Sequence, residues 1–541
     1  MKRFIRKVAV LGSGVMGSRI ACHYANIGCE VILLDIAPKE LNDLEKKKGA
    51  KLEDKGVRNR IVDSSLQFAL KSNPSPIYSK SFAKRIETGN FDDDLQKIKD
   101  CDWVIEVIIE RLDIKQQLFE KVEKYRTPGT LISSNTSGIP IHMMLDGRSE
   151  DFQKHFCGTH FFNPPRYLQL LEIIPTPKTD PAVIDFLMDY GSKILGKKTV
   201  LCKDTPAFIA NRVGVYSIMA LFHAVKEMGF TVSEVDKLSG PVLGRPKSAT
   251  FRTCDVVGLD TLVHVANGLK QNCPDDEEKE LFELPDYIAK MVDNNWLGSK
   301  SGQGFYKKEK DENGKRKILA LNLETLEYEA APKVKFPTLD MAKPIEDLKQ
   351  RTKMLVMGMD KAGEFYRKIF GGLLAYVSNR IPEISEEYYK IDDALKAGFG
   401  WELGPFESWD LFGYDQGLKF INDANKKMGA SIETMRSNGM TSFYKTENGK
   451  RMYFDTTSNS YIVIPGTEEL VDLNSLRDEN KVWGNSDCTL VHVGDGILNL
   501  EFHTKMNTIG GGVLQGINKA IDLAENEYKG LVISNTGQNF S

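Results

Sequence analysis

The first 35 residues contain the pattern that most constrains the fold. An apolar run at residues 8–11 leads into a glycine-rich turn, and a helical run to Asn26 is followed by a second apolar run at residues 31–35. Two continuous apolar strands joined through one helix are typical of a parallel sheet that is covered on both faces. The sequence therefore predicts an α/β domain with a doubly wound parallel sheet at the N-terminus.

The turn between these strands has the spacing Gly-x-Gly-x-x-Gly, and an acidic residue ends the second strand. Such glycines permit a tight turn, a close approach of the backbone to a pyrophosphate, and close packing of the helix. The terminal carboxylate accepts hydrogen bonds from ribose hydroxyls and repels a 2′-phosphate, so NAD is predicted rather than NADP. A fold of this kind without a nucleotide is the alternative. The predicted cofactor residues are Gly12, Gly14, Val15, Met16, Gly17 and Asp35.

Length, charge and cysteine spacing restrict the class of protein further. A chain of 541 residues exceeds what one core usually supports, which predicts three or more globular units. The net charge of −3 gives no global field for nucleic acid or an anionic membrane, and no run approaches the ~20 apolar residues of a membrane span. The eight cysteines contain no Cys-x-x-Cys pair, which favours reduced thiols in the cytoplasm and no metal site.

Changes in the predicted secondary structure and in charge along the chain divide it into five predicted segments. An NAD-binding domain of the Rossmann type is followed by a mostly helical domain, a charged linker, a second helical domain with hairpins, and the start of a βαβ unit. The linker contains a hairpin signal at Asp311-Glu312-Asn313-Gly314, and a second one lies at Thr446-Glu447-Asn448-Gly449. The predicted boundaries are 1–202, 203–307, 308–347, 348–484 and 485–541.

The two helical segments share a short pattern. Phe251-x-x-x-Asp255-x-x-Gly258 recurs as Phe406-x-x-x-Asp410-x-x-Gly413, and Asp236 and Asp392 precede the two copies at similar distances. A match this short also occurs by chance. The position of both copies after a helix and a glycine-rich turn favours a degenerate internal duplication.

Residues 158–175 carry the strongest indication of chemistry. Two apolar strands flank a turn rich in Asn and Pro, and a hairpin centred near Arg166 makes His160 and Glu172 cross-strand neighbours. Oxidation of an alcohol requires a base that takes the hydroxyl proton as hydride leaves, and an imidazole is suited to this at neutral pH. A glutamate beside it would orient the ring. A buried histidine satisfied by hydrogen bonds explains the spacing equally well.

Five runs in order resemble the 3-hydroxyacyl-CoA dehydrogenase family. They are residues 133–137 (Ser-Ser-Asn-Thr-Ser), 160–164 (His-Phe-Phe-Asn-Pro), 204–212 (Asp-Thr-Pro-Ala-Phe-Ile-Ala-Asn-Arg), 244–246 (Gly-Arg-Pro) and 300–306 (Lys-Ser-Gly-Gln-Gly-Phe-Tyr). The resemblance implies NAD-dependent oxidation of a (3S)-hydroxyacyl-CoA to a 3-oxoacyl-CoA in fatty-acid β-oxidation.

The same resemblance implies roles for individual residues. His160 corresponds to the general base and Glu172 to its partner, while Ser137 and Asn211 correspond to residues that flank the substrate oxygen. The residues matching positions that approach the cofactor are Glu110, Lys115 and Lys300. Without the resemblance, Ser137 and Asn211 would be read as a turn serine and a helix residue with a local bond, and the other three as a solvated surface.

The C-terminal segment, residues 497–541, resembles the start of an enoyl-CoA hydratase (crotonase) domain. The order of domains is similar to that of the long bacterial fatty-acid oxidation dehydrogenases, so we expect this domain to be truncated and to carry no hydratase chemistry. The resemblance implies an acyl-CoA substrate, and either a homodimer or a fatty-acid oxidation complex with a thiolase. Three rivals remain: a dehydrogenase of small free acids, which typically uses a lysine base, a lens-type structural relative, and an NAD-binding scaffold without turnover.

Overall fold

The computed structural model describes residues 3–310, 314–447, 449–468, 470–477 and 480–535. Its contacts divide the chain after Ile432 into two units, which are described separately. The turn residues 311–313 and 448 of the two predicted hairpins lie outside the described residues, as do residues 536–541 of the crotonase-like segment.

An eight-stranded sheet begins the first unit, in the order β3-β2-β1-β4-β5-β6-β7-β8. All neighbours are parallel except β6 and β7, which are antiparallel. The chain reverses its direction of winding between β1 and β4, which is where ligands bind to sheets of this type. The strands are β1 (Lys7–Leu11), β2 (Glu30–Asp35), β3 (Ile86–Asn90), β4 (Trp103–Glu106), β5 (Leu131–Ser134), β6 (Phe156–Phe161), β7 (Leu170–Pro175) and β8 (Lys198–Leu201).

Helices cover this sheet and confirm the predicted doubly wound α/β fold. Strands β1 and β2 are buried along almost their whole length, as continuous apolar runs require. The Tyr24 ring packs edge-on against Trp103 with centroids 5.6 Å apart in the core. The helices are α1 (Val15–Asn26), α2 (Asp43–Lys47), α3 (Lys55–Arg58), α4 (Arg60–Leu70), α5 (Leu112–Tyr125), α6 (Glu150–Lys154) and α7 (Pro181–Lys193).

A helical block follows the sheet. Its first helix, α8, begins at Ala210 because Ala207 and Phe208 adopt left-handed φ angles of 61° and 52°. The elements are α8 (Ala210–Glu227), α9 (Val232–Ser239), α10 (Phe251–Val257), α11 (Leu259–Asn272), α12 (Asp286–Asp293), β9 (Tyr306–Lys310), β10 (Arg316–Leu321) and β11 (Tyr328–Ala330). Strands β9 and β10 pair antiparallel, as the hairpin signal predicts.

The second helical block repeats the hydrogen bonds of the first. Asp236 accepts the Phe251 amide at 2.7 Å, and Asp392 accepts the Phe406 amide at 2.9 Å. Each aspartate thus holds the first turn of the helix that carries the repeated pattern. The helices are α13 (Pro337–Ala342), α14 (Leu348–Val356), α15 (Lys361–Asn379), α16 (Tyr388–Phe399), α17 (Pro405–Phe412) and α18 (Tyr414–Asp423).

A buried polar cluster joins the two helical blocks. The Arg212 guanidinium lies 2.6 Å from the Asp276 carboxylate, which also pairs with Arg380 at 2.9 Å. The Tyr216 and Tyr376 rings stack with their centroids 3.7 Å apart. Helix α8 is therefore fixed by contacts from the second block as well as from its own.

The second unit begins within α19 and contains two small sheets. A helix connects the parallel strands β17 and β18, which confirms the predicted βαβ unit. The predicted segment 348–484 crosses the division, because its hairpins form a sheet on the far side of residue 432. The elements are α19 (Ala430–Ser437), β12 (Tyr444–Glu447), β13 (Lys450–Asp455), β14 (Ser460–Val463), α20 (Leu473–Leu476), β15 (Lys481–Gly484), β16 (Cys488–His492), β17 (Ile497–Phe502), α21 (Gly511–Glu527) and β18 (Gly530–Ile533).

Within the described residues, no helix combines the length and the apolar character needed to cross a bilayer.

We predict that the N-terminal domain loses stability below pH 6.5 because of His23. Burial, with a contribution from the Lys197 charge, lowers the pKa of His23 to about 4, and its Nε2 lies 3.1 Å from the Leu195 carbonyl. The unfolded chain binds a proton there near pH 6.5 and the folded chain does not, so stability falls as pH drops from 6.5 to 4, by about 3 kcal/mol in total. Urea unfolding followed by tryptophan fluorescence at pH 7 and pH 5 measures this.

The matched variant is His23→Gln, whose amide donates to the same carbonyl but does not titrate. We expect the difference in unfolding free energy between wild type and variant to shift by more than ~1 kcal/mol in favour of the variant at pH 5. An equal pH dependence in both proteins would contradict the assignment to His23.

Candidate active site

The β6–β7 hairpin brings the predicted catalytic pair together. His160 lies directly opposite Glu172 in the register, which confirms the hairpin predicted from their spacing. The imidazole Nδ1 is 2.7 Å from Glu172 Oε2, and both side chains are buried. A carboxylate only accepts, so Nδ1 carries the hydrogen and Nε2 is left as an acceptor. Among the described residues, no group bonds Nε2.

The second oxygen of Glu172 binds the start of α8. Its Oε1 accepts the Ala210 amide at 2.8 Å and the Ile209 amide at 3.2 Å. These amides belong to the helix N-terminus, where a negative charge is stabilised. The left-handed conformation of the residue before Ile209 turns the chain into this position and places the Phe208 ring 5.7 Å from the imidazole. One carboxylate therefore connects the sheet domain, the helical domain and the imidazole.

Asn211 and Ser137 lie on elements next to this pair. Asn211 follows the amide that Glu172 holds, and the Ser137 turn is tied to β6 by the Asn135 side chain, which accepts the Phe161 amide at 2.9 Å. Both residues are partly exposed. No hydrogen bond to the Asn211 amide group or the Ser137 hydroxyl comes from any residue that the structure describes.

The glycine loop has the shape that a dinucleotide requires. A Cβ on Gly17 would lie 1.8 Å from the Gly12 carbonyl oxygen, and one on Gly12 would lie 2.5 Å from the Val107 carbonyl oxygen. A Cβ on Gly14 would meet nothing within 4 Å. The first two glycines are thus required for the loop to fold, whereas Gly14 borders open space at the start of α1. Val15 is exposed and Met16 half-buried. The residues present fit the pyrophosphate of NAD.

Asp35 has a partner that the sequence did not predict. Its Oδ2 accepts the Ser13 amide at 2.6 Å and the Ser13 hydroxyl at 2.5 Å. The carboxylate therefore shapes the glycine loop itself. It is only partly buried, and its Oδ1 accepts the Ile36 amide at 2.7 Å just beyond the end of β2.

Glu110 and Lys115 form a buried network rather than a solvated surface, so the solvated-surface interpretation is wrong for Lys115. The Lys115 ammonium lies 2.7 Å from Glu106 and 3.5 Å from Glu110. Glu110 accepts the Thr136 hydroxyl and the Ser137 amide. Burial alone raises the pKa of Glu110, but the Lys115 charge and these hydrogen bonds outweigh it and hold the pKa below its ordinary value.

Lys300 lies apart from these groups. Its ammonium bonds both carboxylate oxygens of Asp260 in the first turn of α11, and the side chain is half exposed. The structure does not place it with the other predicted cofactor residues.

A cleft of about 360 Å³ separates the sheet domain from α11. Glu110, Ser137 and Ala207 line one side, and His264 and Asn267 line the other. A cleft between two domains is a common position for a small-molecule site. The loops at the ends of β4 and β5 therefore face the helical domain across a space that fits a ligand.

The sequence did not single out Glu106, Ser134 or Ser13. Glu106 ends a buried apolar strand as Asp35 does, and Lys115 follows nine residues later at the first turn of a helix. An acidic residue at the carboxyl end of a central parallel strand, where ligands bind, was the signal that could have identified Glu106.

Comparisons with known proteins agree with this geometry. The sequence profile described as 3-hydroxyacyl-CoA dehydrogenase, NAD binding domain, matches residues 7–205, and the profile of the C-terminal domain of the same family matches residues 208–308. A Bacillus subtilis protein named as a 3-hydroxyacyl-CoA dehydrogenase is 44% identical over 541 residues, which is all of this chain and 68% of the relative.

Two further comparisons extend over most of the chain. A Rickettsia prowazekii protein named as a fatty acid oxidation complex trifunctional enzyme is 30% identical over 550 residues, covering 100% of this chain and 69% of the relative. The crystal structure of 3-hydroxybutyryl-CoA dehydrogenase from Escherichia coli K12 superposes with a TM-score of 0.54 and 22% identity, covering 78% of this chain and 94% of that one. This last similarity supports the fold.

The profiles, together with the relative that matches the whole of this chain, define an NAD-dependent oxidoreductase. The chain belongs to the 3-hydroxyacyl-CoA dehydrogenase family.

Two glycine substitutions test the shape of the cofactor loop. We expect Gly14→Ala to fold normally, with a Tm within ~1 °C of wild type, because its Cβ meets no protein atom. The methyl group occupies the space that the pyrophosphate needs, so we expect the Kd for NAD to rise at least ~10-fold. Gly17→Ala instead clashes with the Gly12 carbonyl and lowers the Tm by at least ~5 °C.

Calorimetric titration with NAD and thermal unfolding measure the two effects. Unchanged NAD affinity in a well-folded Gly14→Ala variant would show that the dinucleotide does not approach this loop.

Proposed function

We propose that this protein oxidises a (3S)-hydroxyacyl-CoA to the 3-oxoacyl-CoA, the dehydrogenase step of fatty-acid β-oxidation, with His160 as the general base. The observation that carries the proposal is the buried His160–Glu172 pair, whose Nε2 has no protein partner among the described residues. An alcohol placed at Nε2 finds an acceptor for its proton. The family membership supplies the class of reaction and the cofactor.

The proposed step divides the carbinol hydrogens between two acceptors. The hydroxyl proton passes to His160 Nε2, and the C3–H bond breaks as the carbonyl forms. NAD, when bound, supplies the acceptor for the hydride. The imidazolium that results remains beside the Glu172 carboxylate at 2.7 Å, which stabilises its positive charge in a buried setting.

Ser137 and Asn211 complete the proposed substrate site. Each has a polar group without a protein partner in the described part of the chain, and each lies on an element attached to the His160 strand or to Glu172. Hydrogen bonds from them to the substrate oxygen would fix C3 for transfer. For the cofactor, we propose contacts with the glycine loop, Asp35 and Glu110, while Lys115 and Lys300 keep their ion pairs.

The assay for the proposed function follows NADH absorbance with acetoacetyl-CoA as oxidant. We expect wild type to be active and His160→Asn to lose at least ~100-fold in kcat with an unchanged Kd for NAD. Glu172→Gln removes the charge and leaves one acceptor oxygen where the carboxylate has two, so it lowers kcat in the same direction. An inactive wild type that binds NAD would instead favour the scaffold alternative.

The matched control for this series is His155→Asn. His155 precedes β6 at the opposite end from His160, and it also lies near a carboxylate, with its Nδ1 3.4 Å from Asp151. We expect this variant to retain the wild-type rate. If it loses as much activity as His160→Asn, the proposed base is not specific.

A second series tests Ser137 and Asn211. We expect Ser137→Ala and Asn211→Ala each to lower kcat/KM for acetoacetyl-CoA by ~10-fold, which is the loss of one hydrogen bond to the reacting oxygen. The control is Ser217→Ala, because the Ser217 hydroxyl donates to the Val213 carbonyl within α8. If Ser137→Ala and Asn211→Ala both keep the wild-type kcat/KM, Ser137 and Asn211 do not belong to the substrate site.

The name of the Rickettsia relative supports a proposal about partners. We propose that the protein acts with a thiolase in a fatty-acid oxidation complex, which would remove the 3-oxoacyl-CoA product. Coupled turnover measured with and without a co-expressed thiolase, together with its co-purification, tests this assembly.

A further inference from the structure

A fully buried ion pair lies directly beneath the cleft. Glu106 at the end of β4 is 0% exposed, and Lys115 on α5 is 1% exposed, with 2.7 Å between its ammonium and the carboxylate. Removing two charges from water is costly, and packed apolar side chains often replace such pairs without loss of stability. Stability alone therefore gives no reason for charges at these two positions.

The pair is joined to both strand ends that border the cleft. Glu106 Oε1 accepts the Ile108 amide at 2.7 Å beyond the end of β4, and Glu106 Oε2 accepts the Ser134 hydroxyl at the end of β5. One carboxylate thus fixes the spacing of two neighbouring strands at the edge where the ligand loops begin.

Lys115 extends the connection to the loop after β5. Its ammonium also lies 3.5 Å from Glu110 Oε2, while Glu110 Oε1 accepts the amides of Ser137 at 3.0 Å and Gly138 at 3.2 Å. Lys115 is the cation in contact with both carboxylates. A continuous line of contacts therefore runs from Glu106 through Lys115 and Glu110 to Ser137.

We propose that Glu106 and Lys115 are positioning residues that hold Glu110 and the Ser137 loop in the arrangement that binds the dinucleotide and the substrate. This inference rests on the proposed function of Ser137 and on the proposed contact of Glu110 with the cofactor. The Glu110 side chain is 27% exposed and lines the cleft, whereas Lys115 is enclosed. Of these two residues, Glu110 is therefore the one that borders the cleft.

A double-substitution cycle separates positioning from simple stability. Lys115→Met leaves the Glu106 charge buried without a cation, and Glu106→Gln leaves Lys115 with Glu110 alone at 3.5 Å, so we expect each to lower the Tm by about 6 °C or more. The double variant contains no unpaired member of the pair, and we expect it to recover at least half of that Tm loss. If the pair only stabilises the fold, NAD binding and kcat/KM will recover in the double variant in proportion to the Tm.

The positioning role predicts a different result for function. In the double variant Glu110 has no cation beside it, so we expect the Kd for NAD to remain at least ~10-fold above wild type and kcat/KM at least ~10-fold below it, despite the recovered Tm. Wild-type Kd and kcat/KM in the double variant would overturn the inference. NAD titration requires no turnover, so a wild type that binds NAD but is inactive would count against the proposed function alone.

Two further variants distinguish a loss of NAD binding from a loss of stability. Val122→Ala removes buried apolar volume from the same helix without touching the ion pair, and we expect a lower Tm with an unchanged Kd for NAD. Glu110→Gln leaves the buried pair intact, and we expect a near wild-type Tm with the same weakening of NAD binding as in the double variant. A wild-type Kd for Glu110→Gln would overturn the inference even if the double variant does not fold.

Discussion

The Glu172 carboxylate is the group on which the rest of the site depends. One of its oxygens orients the His160 ring at 2.7 Å, and the other holds the Ala210 amide at the start of α8 at 2.8 Å. Glu172 lies on the sheet, whereas α8 begins the helical domain. The carboxylate that orients the imidazole therefore also holds the start of the helical domain.

The backbone before α8 supports this arrangement at some cost. Ala207 and Phe208 both adopt positive φ angles, which residues with a Cβ disfavour by roughly 1 kcal/mol or more each. The conformation directs two amides at a single carboxylate oxygen and places an aromatic ring against the imidazole. The strain is thus located where the proposed base is positioned, and burial of Phe208 helps to maintain it.

Much of the fold, and the pairing of His160 with Glu172, could be predicted from short-range pattern. Continuous apolar strands identify a parallel sheet, and the symmetry of His160 and Glu172 about a turn specifies their pairing, because the register of a hairpin follows from residue number. These features depend only on local periodicity, which a sequence records directly.

Contacts between distant segments could not be predicted in this way. Nothing in the sequence around Ser13 indicates that its hydroxyl donates to Asp35. An alanine is not a residue type that predicts a left-handed backbone, as Ala207 adopts. Lys115 has the spacing of an exposed helix surface, yet tertiary packing buries it against Glu106. Lys300 forms an ion pair with Asp260, which lies 40 residues earlier, and only the folded helical block brings the two together.

The two helical blocks show why a repeated fold need not repeat a site. Asp236 and Asp392 make the same bond to the helix that follows, so the second block keeps the architecture of the first. The long helices α8 and α15, one in each block, differ at the N-terminus. Helix α15 is capped by its own Asp360, which accepts the Gly363 amide at 3.0 Å, whereas α8 has no side-chain cap of its own. The free amides of α8 are therefore available to Glu172, and this difference in capping, rather than the fold, lets the first block take part in the proposed active site.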